Sequence, residues 1–175
     1  MTYDVAALPG YAPEIGLLLA TLDDSTREWR ENLGEPPIEA ILWQPYPAGY
    51  SIGSLLLHII DVETYWIDKF AAGKPEDPVE IKLFMSRETK QDDGIWPSPP
   101  AEPIEWYLAH HDRIRARIKE SLLELDDPSK MYQGRKNRFT LRWILAHVVG
   151  HDSYHGGQAV VLHELWKRLR TPPNP

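Results

Sequence analysis

The chain has 175 residues, 42% hydrophobic and 26% charged, a size and composition suited to one soluble domain with its own core. It contains no cysteine, which excludes disulfides, zinc–thiolate sites, iron–sulfur clusters and a catalytic cysteine. A net charge of −7 argues against nucleic acid as a main partner, and no apolar run approaches the roughly 20 residues of a membrane-spanning helix. Met1 to Pro13 lack the basic and apolar regions of a secretory signal, so cytoplasm is the expected compartment.

Sixteen prolines punctuate the chain and leave four long proline-free stretches, each with a 3.6-residue apolar period. The first runs from about Glu14 to Leu33, with Ile15, Leu18, Leu19, Leu22, Trp29 and Leu33 on one face. The second starts at Ser51, a plausible N-cap, and is expected to bury Leu55, Ile59, Val62, Trp66 and Phe70. The third, from about Pro103 to Leu125, carries Ile104, Leu108, Ile114, Ile118 and Leu122. The fourth starts at Thr140, again a plausible cap, and carries Leu141, Ile144, Val148, Leu162, Trp166 and Leu169.

Four such amphipathic helices predict an all-α four-helix bundle, one domain over residues 1–170 with a disordered tail at 171–175. The first connection, roughly 17 residues with Trp43, Tyr46 and Tyr50, is expected to pack across one end of the bundle. The second, nearly 30 residues long, leaves room for a crossover or a short helix around Val79 to Thr89.

Of seven histidines, His147, His151, His155 and His163 fall in the fourth helix. Imidazoles four residues apart share a helix face, but the outer two of His147, His151 and His155 are separated by about 12 Å of rise, too far to share one ion. On a wheel centred on Val148, His155 falls near −20° and His151 near −60°, whereas His147 lies near −100° at the edge of the buried stripe. His58 interrupts the second helix's apolar stripe in the same way. Histidines from facing helices can converge in a bundle core, and neutral imidazole suits zinc, nickel, copper and iron. On spacing alone, a metal triad and a set of hydrogen-bonded core histidines stand level. His111 reads as a core histidine rather than a ligand, and His110 and His163 as solvated or rim positions.

The run Thr140-Leu141-Arg142-Trp143-Ile144-Leu145-Ala146-His147-Val148-Val149-Gly150-His151-Asp152-Ser153-Tyr154-His155-Gly156-Gly157-Gln158 resembles the last-helix signature of the DinB/YfiT-like superfamily of metalloenzymes. Ser51 to Trp66, with His58 followed by an acidic stretch and an aromatic residue, resembles that superfamily's second-helix signature. The resemblance implies a bundle with one divalent metal, zinc or nickel, held by His58, His151 and His155. Tyr154 departs from many relatives, which place a histidine there. Relatives include transferases and isomerases that use bacillithiol, mycothiol or glutathione, together with metal-dependent hydrolases. The implied function is therefore an S-transferase or hydrolase acting on a small molecule, with a low-molecular-weight thiol as cosubstrate.

The competing reading is a non-catalytic protein whose metal is structural. Three ligands favour the enzyme, since a closed structural zinc site has four; the absence of a general-base motif such as HExxH favours the alternative. Around the triad, Asp61 is the acidic residue placed to share a face with His58, while Glu63 and Asp152 read as helix surface. Gln158 is within reach of the site or of a neighbouring helix. Gly156 and Gly157 in mid-helix cost about 1 kcal/mol each relative to alanine. Close approach of another helix or of a second subunit would offset that, and with the resemblance this gives the expectation of a homodimer.

Overall fold

The computed structural model describes residues 4–86 and 96–170. Two of its four long helices start where a side chain satisfies the first orphan amides, and the other two follow Ala12 and Pro103 with no side-chain cap. At Ser51 a capping box closes, with the Ser54 amide donating to Ser51 Oγ at 3.3 Å and the Ser51 amide to Ser54 Oγ at 2.8 Å. The Trp143 amide donates to Thr140 Oγ1 at 3.1 Å, so both expected caps form.

In chain order the elements are α1 (Pro13–Leu33), α2 (Ile38–Leu42) and α3 (Ile52–Glu63), which widens into a π-helical stretch (Thr64–Ala71). Then come α4 (Pro78–Leu83), α5 (Ile104–Leu122), strands β1 (Met131–Gln133) and β2 (Arg138–Thr140), and α6 (Leu141–Arg170). The four long helices are the expected ones. α6 lies along α1 and α3, and α3 also packs on α5. Ile15, Leu19 and Leu22 of α1 meet Leu55 and Ile59 of α3, Ile114 and Ile118 of α5, and Ile144 and Val148 of α6, all at most 1% exposed. No helix among the described residues is long and apolar enough to cross a membrane.

The structure departs from the sequence expectation at five places. The second helix changes pitch: Ala72 N donates to Ile67 O, five residues back. A π turn rotates every later residue relative to an α-helical wheel. Ile67, Asp68 and Ala71 therefore turn inward, while Trp66 and Phe70 are only partly buried; Val62, before the π stretch, is half-buried as well. The first connection contains α2, whose Ala40 and Ile41 are fully buried. The second contains α4 on an Asp77 cap, shorter than the helix expected to Thr89, and residue 89 and the tail at 171–175 lie outside the described residues. Between α5 and α6 an antiparallel hairpin pairs Tyr132 with Phe139, a small strand element outside the all-α expectation. Leu169, assigned to the apolar face of α6, is 70% exposed.

Candidate metal centre

α3 and α6 bring His58, His151 and His155 together. One ring nitrogen from each lies within 4.8 Å of the others, and His151 Nε2 sits 3.1 Å from His58 Nε2. Ring centroids are 4.3 Å apart for His151–His155 and 4.9 Å for His58–His155. Two nitrogens bound tetrahedrally at 2.0–2.1 Å to one ion stand about 3.4 Å apart, so the His58–His151 spacing suits a shared ion.

The electrostatics suit it as well. Burial pushes His58 down to about 4, helped by the neighbouring His155. Burial and crowding by His155, His58 and His147 push His151 to about 3, with Glu63 pulling the other way. Burial also lowers His155, against its hydrogen bond to Gln158 Oε1. Near pH 7 the cluster is three neutral imidazoles, the form that ligates metal.

His147 stands apart, as the wheel indicates. It stacks on Trp143 with centroids 4.9 Å apart and planes 6° apart, and meets the edge of Trp66. Trp96, which nothing in the sequence singled out, packs edge-on to His58 at 5.4 Å and against Tyr50 at 5.6 Å. The first connection's aromatics thus reach the site through Tyr50, although Tyr46 is 51% exposed.

Asp61 accepts a hydrogen bond from Ser86 and lines a cleft with Asp68 and Phe84, away from the three-histidine cluster. The surface readings of Glu63 and Asp152 need correction: they are 0% and 1% exposed. Both belong to a buried ionic knot around Arg115, where Nε donates to Glu63 Oε2 at 3.0 Å and Nη2 donates to Glu63 Oε1 and to Thr26 Oγ1 at 3.0 Å. His111 Nε2 lies 2.9 Å from Glu63 Oε1 and 3.1 Å from Arg115 Nη2, and Asp152 Oδ1 3.6 Å from Nη2. Glu63, His111 and Asp152 also present ligand atoms within 4.8 Å of one another, but the guanidinium already supplies the positive charge there.

Burial acts to raise the Glu63 carboxyl, and Arg115 and His111 outweigh it and hold the group well below the usual carboxylate range. Burial and repulsion from Glu63 raise Asp152, against His111, Arg115 and the Trp29 indole, which donates to Asp152 Oδ2 at 3.0 Å. His111 is a core histidine as expected, stacked on Trp29. His163 is not a rim residue but buried, its Nδ1 2.8 Å from Leu33 O, and His110 is partly buried against Trp106. The sequence signal for the knot was available in one place. His111 and Arg115, one turn apart, share the buried stripe of α5 with Ile114 and Ile118 and need a buried acid opposite.

Gly156 has its reason within the chain: a Cβ there would stand 2.3 Å from the Trp29 ring, so α1 and α6 touch only because no side chain intervenes. Gly157 faces open space. The intramolecular contact at Gly156 removes one of the two glycines on which, with the resemblance, the expectation of a dimer rested.

A family model described as mycothiol-S-transferase matches residues 17–167, and the chain belongs to that family, within the DinB/YfiT-like metal-dependent superfamily. Among curated proteins, none matches the chain.

Proposed function

We propose that this mycothiol-S-transferase family member is a metal-dependent S-transferase. In this reading His58, His151 and His155 hold one divalent ion, zinc or nickel, and mycothiol is the thiol cosubstrate. The observation that carries the reading is the meeting of three neutral imidazoles from two facing helices at one point. The family supplies the thiol, and a chain without cysteine requires that it come from outside. Three protein ligands leave a coordination position for an exogenous group, the pattern of catalytic rather than structural sites.

With a divalent ion held by His58, His151 and His155, the pKa of a thiol brought to the site would be lowered toward the thiolate near neutral pH. The protein's part is positional. The imidazoles add no negative charge, and the nearby carboxylates Glu63 and Asp152 are tied to Arg115, so little in the site offsets the cation's charge. Trp96 puts an aromatic edge beside His58 at one side of the cluster. In the transfer, the thiol sulfur forms a bond to an electrophilic carbon of a small substrate. The leaving group departs with the bonding electron pair, and the thiol proton passes to solvent.

Metal analysis of protein purified without a histidine tag, paired with conjugation of mycothiol to a fluorogenic alkylating electrophile, tests both parts. Expected are about one equivalent of metal per chain and conjugation that chelators abolish and metal restores. Protein that retains no metal, or loaded protein that does not accelerate conjugation over free mycothiol, would sink the reading.

A further inference from the structure

His155 and His58 differ at their outer nitrogens. Buried His58 Nδ1 has no hydrogen-bond partner among the described residues, whereas His155 Nδ1 lies 2.7 Å from Gln158 Oε1. The pair is local, since residues three apart are neighbours on a helix surface and both sit on α6. An amide oxygen only accepts, so the ring must carry its proton on Nδ1. A neutral imidazole has one N–H, and Nε2 is then the lone-pair nitrogen left for the cluster.

We infer, resting on the three-histidine reading above, that Gln158 is a positioning residue. It fixes His155 as the Nδ1–H tautomer and holds the ring angle, so that Nε2 stands ready as a ligand before any ion arrives. The opposite amide orientation would present the Gln158 NH₂ to Nδ1, put the ring proton on Nε2 and block ligation there. Flexible exchange between the two arrangements would leave His155 a ligand for only part of the time. The outer-shell partner of a ligating histidine typically changes metal affinity 10–100-fold.

The test begins on metal-free protein, where long-range proton–nitrogen NMR correlations report histidine tautomers. His155 is assigned by the signals missing from His155→Ala. Wild type and Gln158→Glu, which both keep an acceptor oxygen, are expected to show the single Nδ1–H tautomer. Gln158→Met, of similar length without that oxygen, is expected to show a mixture, with Gln158→Ala as the second variant should the first not fold. Zinc affinity, by competition with a chromophoric chelator, should fall about 10–100-fold in Gln158→Met and recover in Gln158→Glu. A merely structural role would instead shift the unfolding midpoint of the metal-free protein, which is expected to stay put.

A single Nδ1–H tautomer together with zinc affinity within about threefold of wild type in Gln158→Met overturns the positioning role. So does a wild-type His155 that carries its proton on Nε2. Zinc retained at full stoichiometry by His155→Ala overturns the three-histidine reading instead, and the metal-free spectra still decide what Gln158 does.

Discussion

Arg115→Leu puts the ionic knot to a quantitative test. Arg115 is 7% exposed and its guanidinium bonds Glu63 twice, and Glu63 is wholly buried. At about 4 Å between charge centres and an effective dielectric near 20, their attraction is about 4 kcal/mol. Breaking a buried pair by removing one partner costs about 3–5 kcal/mol, because the other charge stays buried and uncompensated. Urea unfolding of the metal-free variant near pH 7 should therefore show a loss of about 3–5 kcal/mol.

The pH dependence follows from Glu63. In wild type its folded pKa lies below the unfolded value, so its stabilisation is present above about pH 4.3 and fades as pH falls toward the folded pKa. Without Arg115, only His111 still opposes burial, so that pKa rises and the folded variant takes up a proton that the unfolded chain releases. The variant then loses stability as pH rises from about 4.3, and its deficit against wild type grows from acid to neutral pH. Removing both charges in Glu63→Leu/Arg115→Leu should cost less than removing Arg115 alone. A single-variant loss below about 1 kcal/mol, flat with pH, would refute the account of the knot as a compensated buried pair.

His58→Ala, His151→Ala and His155→Ala should each lose most of the bound metal while His147→Ala keeps it, as read by metal analysis; stoichiometric metal in His151→Ala would remove that ligand from the set. Gly156→Ala drives a methyl into the Trp29 ring and should cost about 1–3 kcal/mol in chemical denaturation. Gly157→Ala, pointing into open space, should instead gain up to about 1 kcal/mol. A loss at position 157 accompanied by a concentration-dependent midpoint would mean that a second subunit covers it. Ser51→Ala removes one arm of the α3 capping box and should lower stability by about 1 kcal/mol, seen as a lower thermal midpoint.

Much of the fold and the candidate ligand set was legible because both follow from one helical period. Proline positions bounded the four long helices, and the same 100° step placed His151 and His155 on the inner face of α6 and His147 at its edge. What was not legible depends on partners distant in sequence or on departures from that period. The π turn after Glu63 rephases the helix, so Trp66 and Phe70 leave the stripe while Ile67 joins it. The hairpin's three-residue strands are too short for an alternating pattern to stand out. Glu63 and Asp152 looked like surface residues because a carboxylate on a helix is ordinarily solvated, and only tertiary contact shows the arginine that lets them be buried.

That arginine also bears on the geometry of the site. His58 and Glu63 both lie on α3, five residues apart, while His151 and Asp152 are neighbours on α6. Arg115 of α5 reaches both carboxylates and Thr26 of α1, so one cation ties together all four long helices within a turn or two of the histidines. Side chains that must meet within a few ångströms need their helices fixed in axial register, and apolar packing alone is permissive about sliding. A directional ionic knot is less so, since a one-residue slip of α3 or α6 strands a buried carboxylate. The polar core beside the three histidines and the close spacing of their nitrogens are thus two results of the same constraint on α3 and α6.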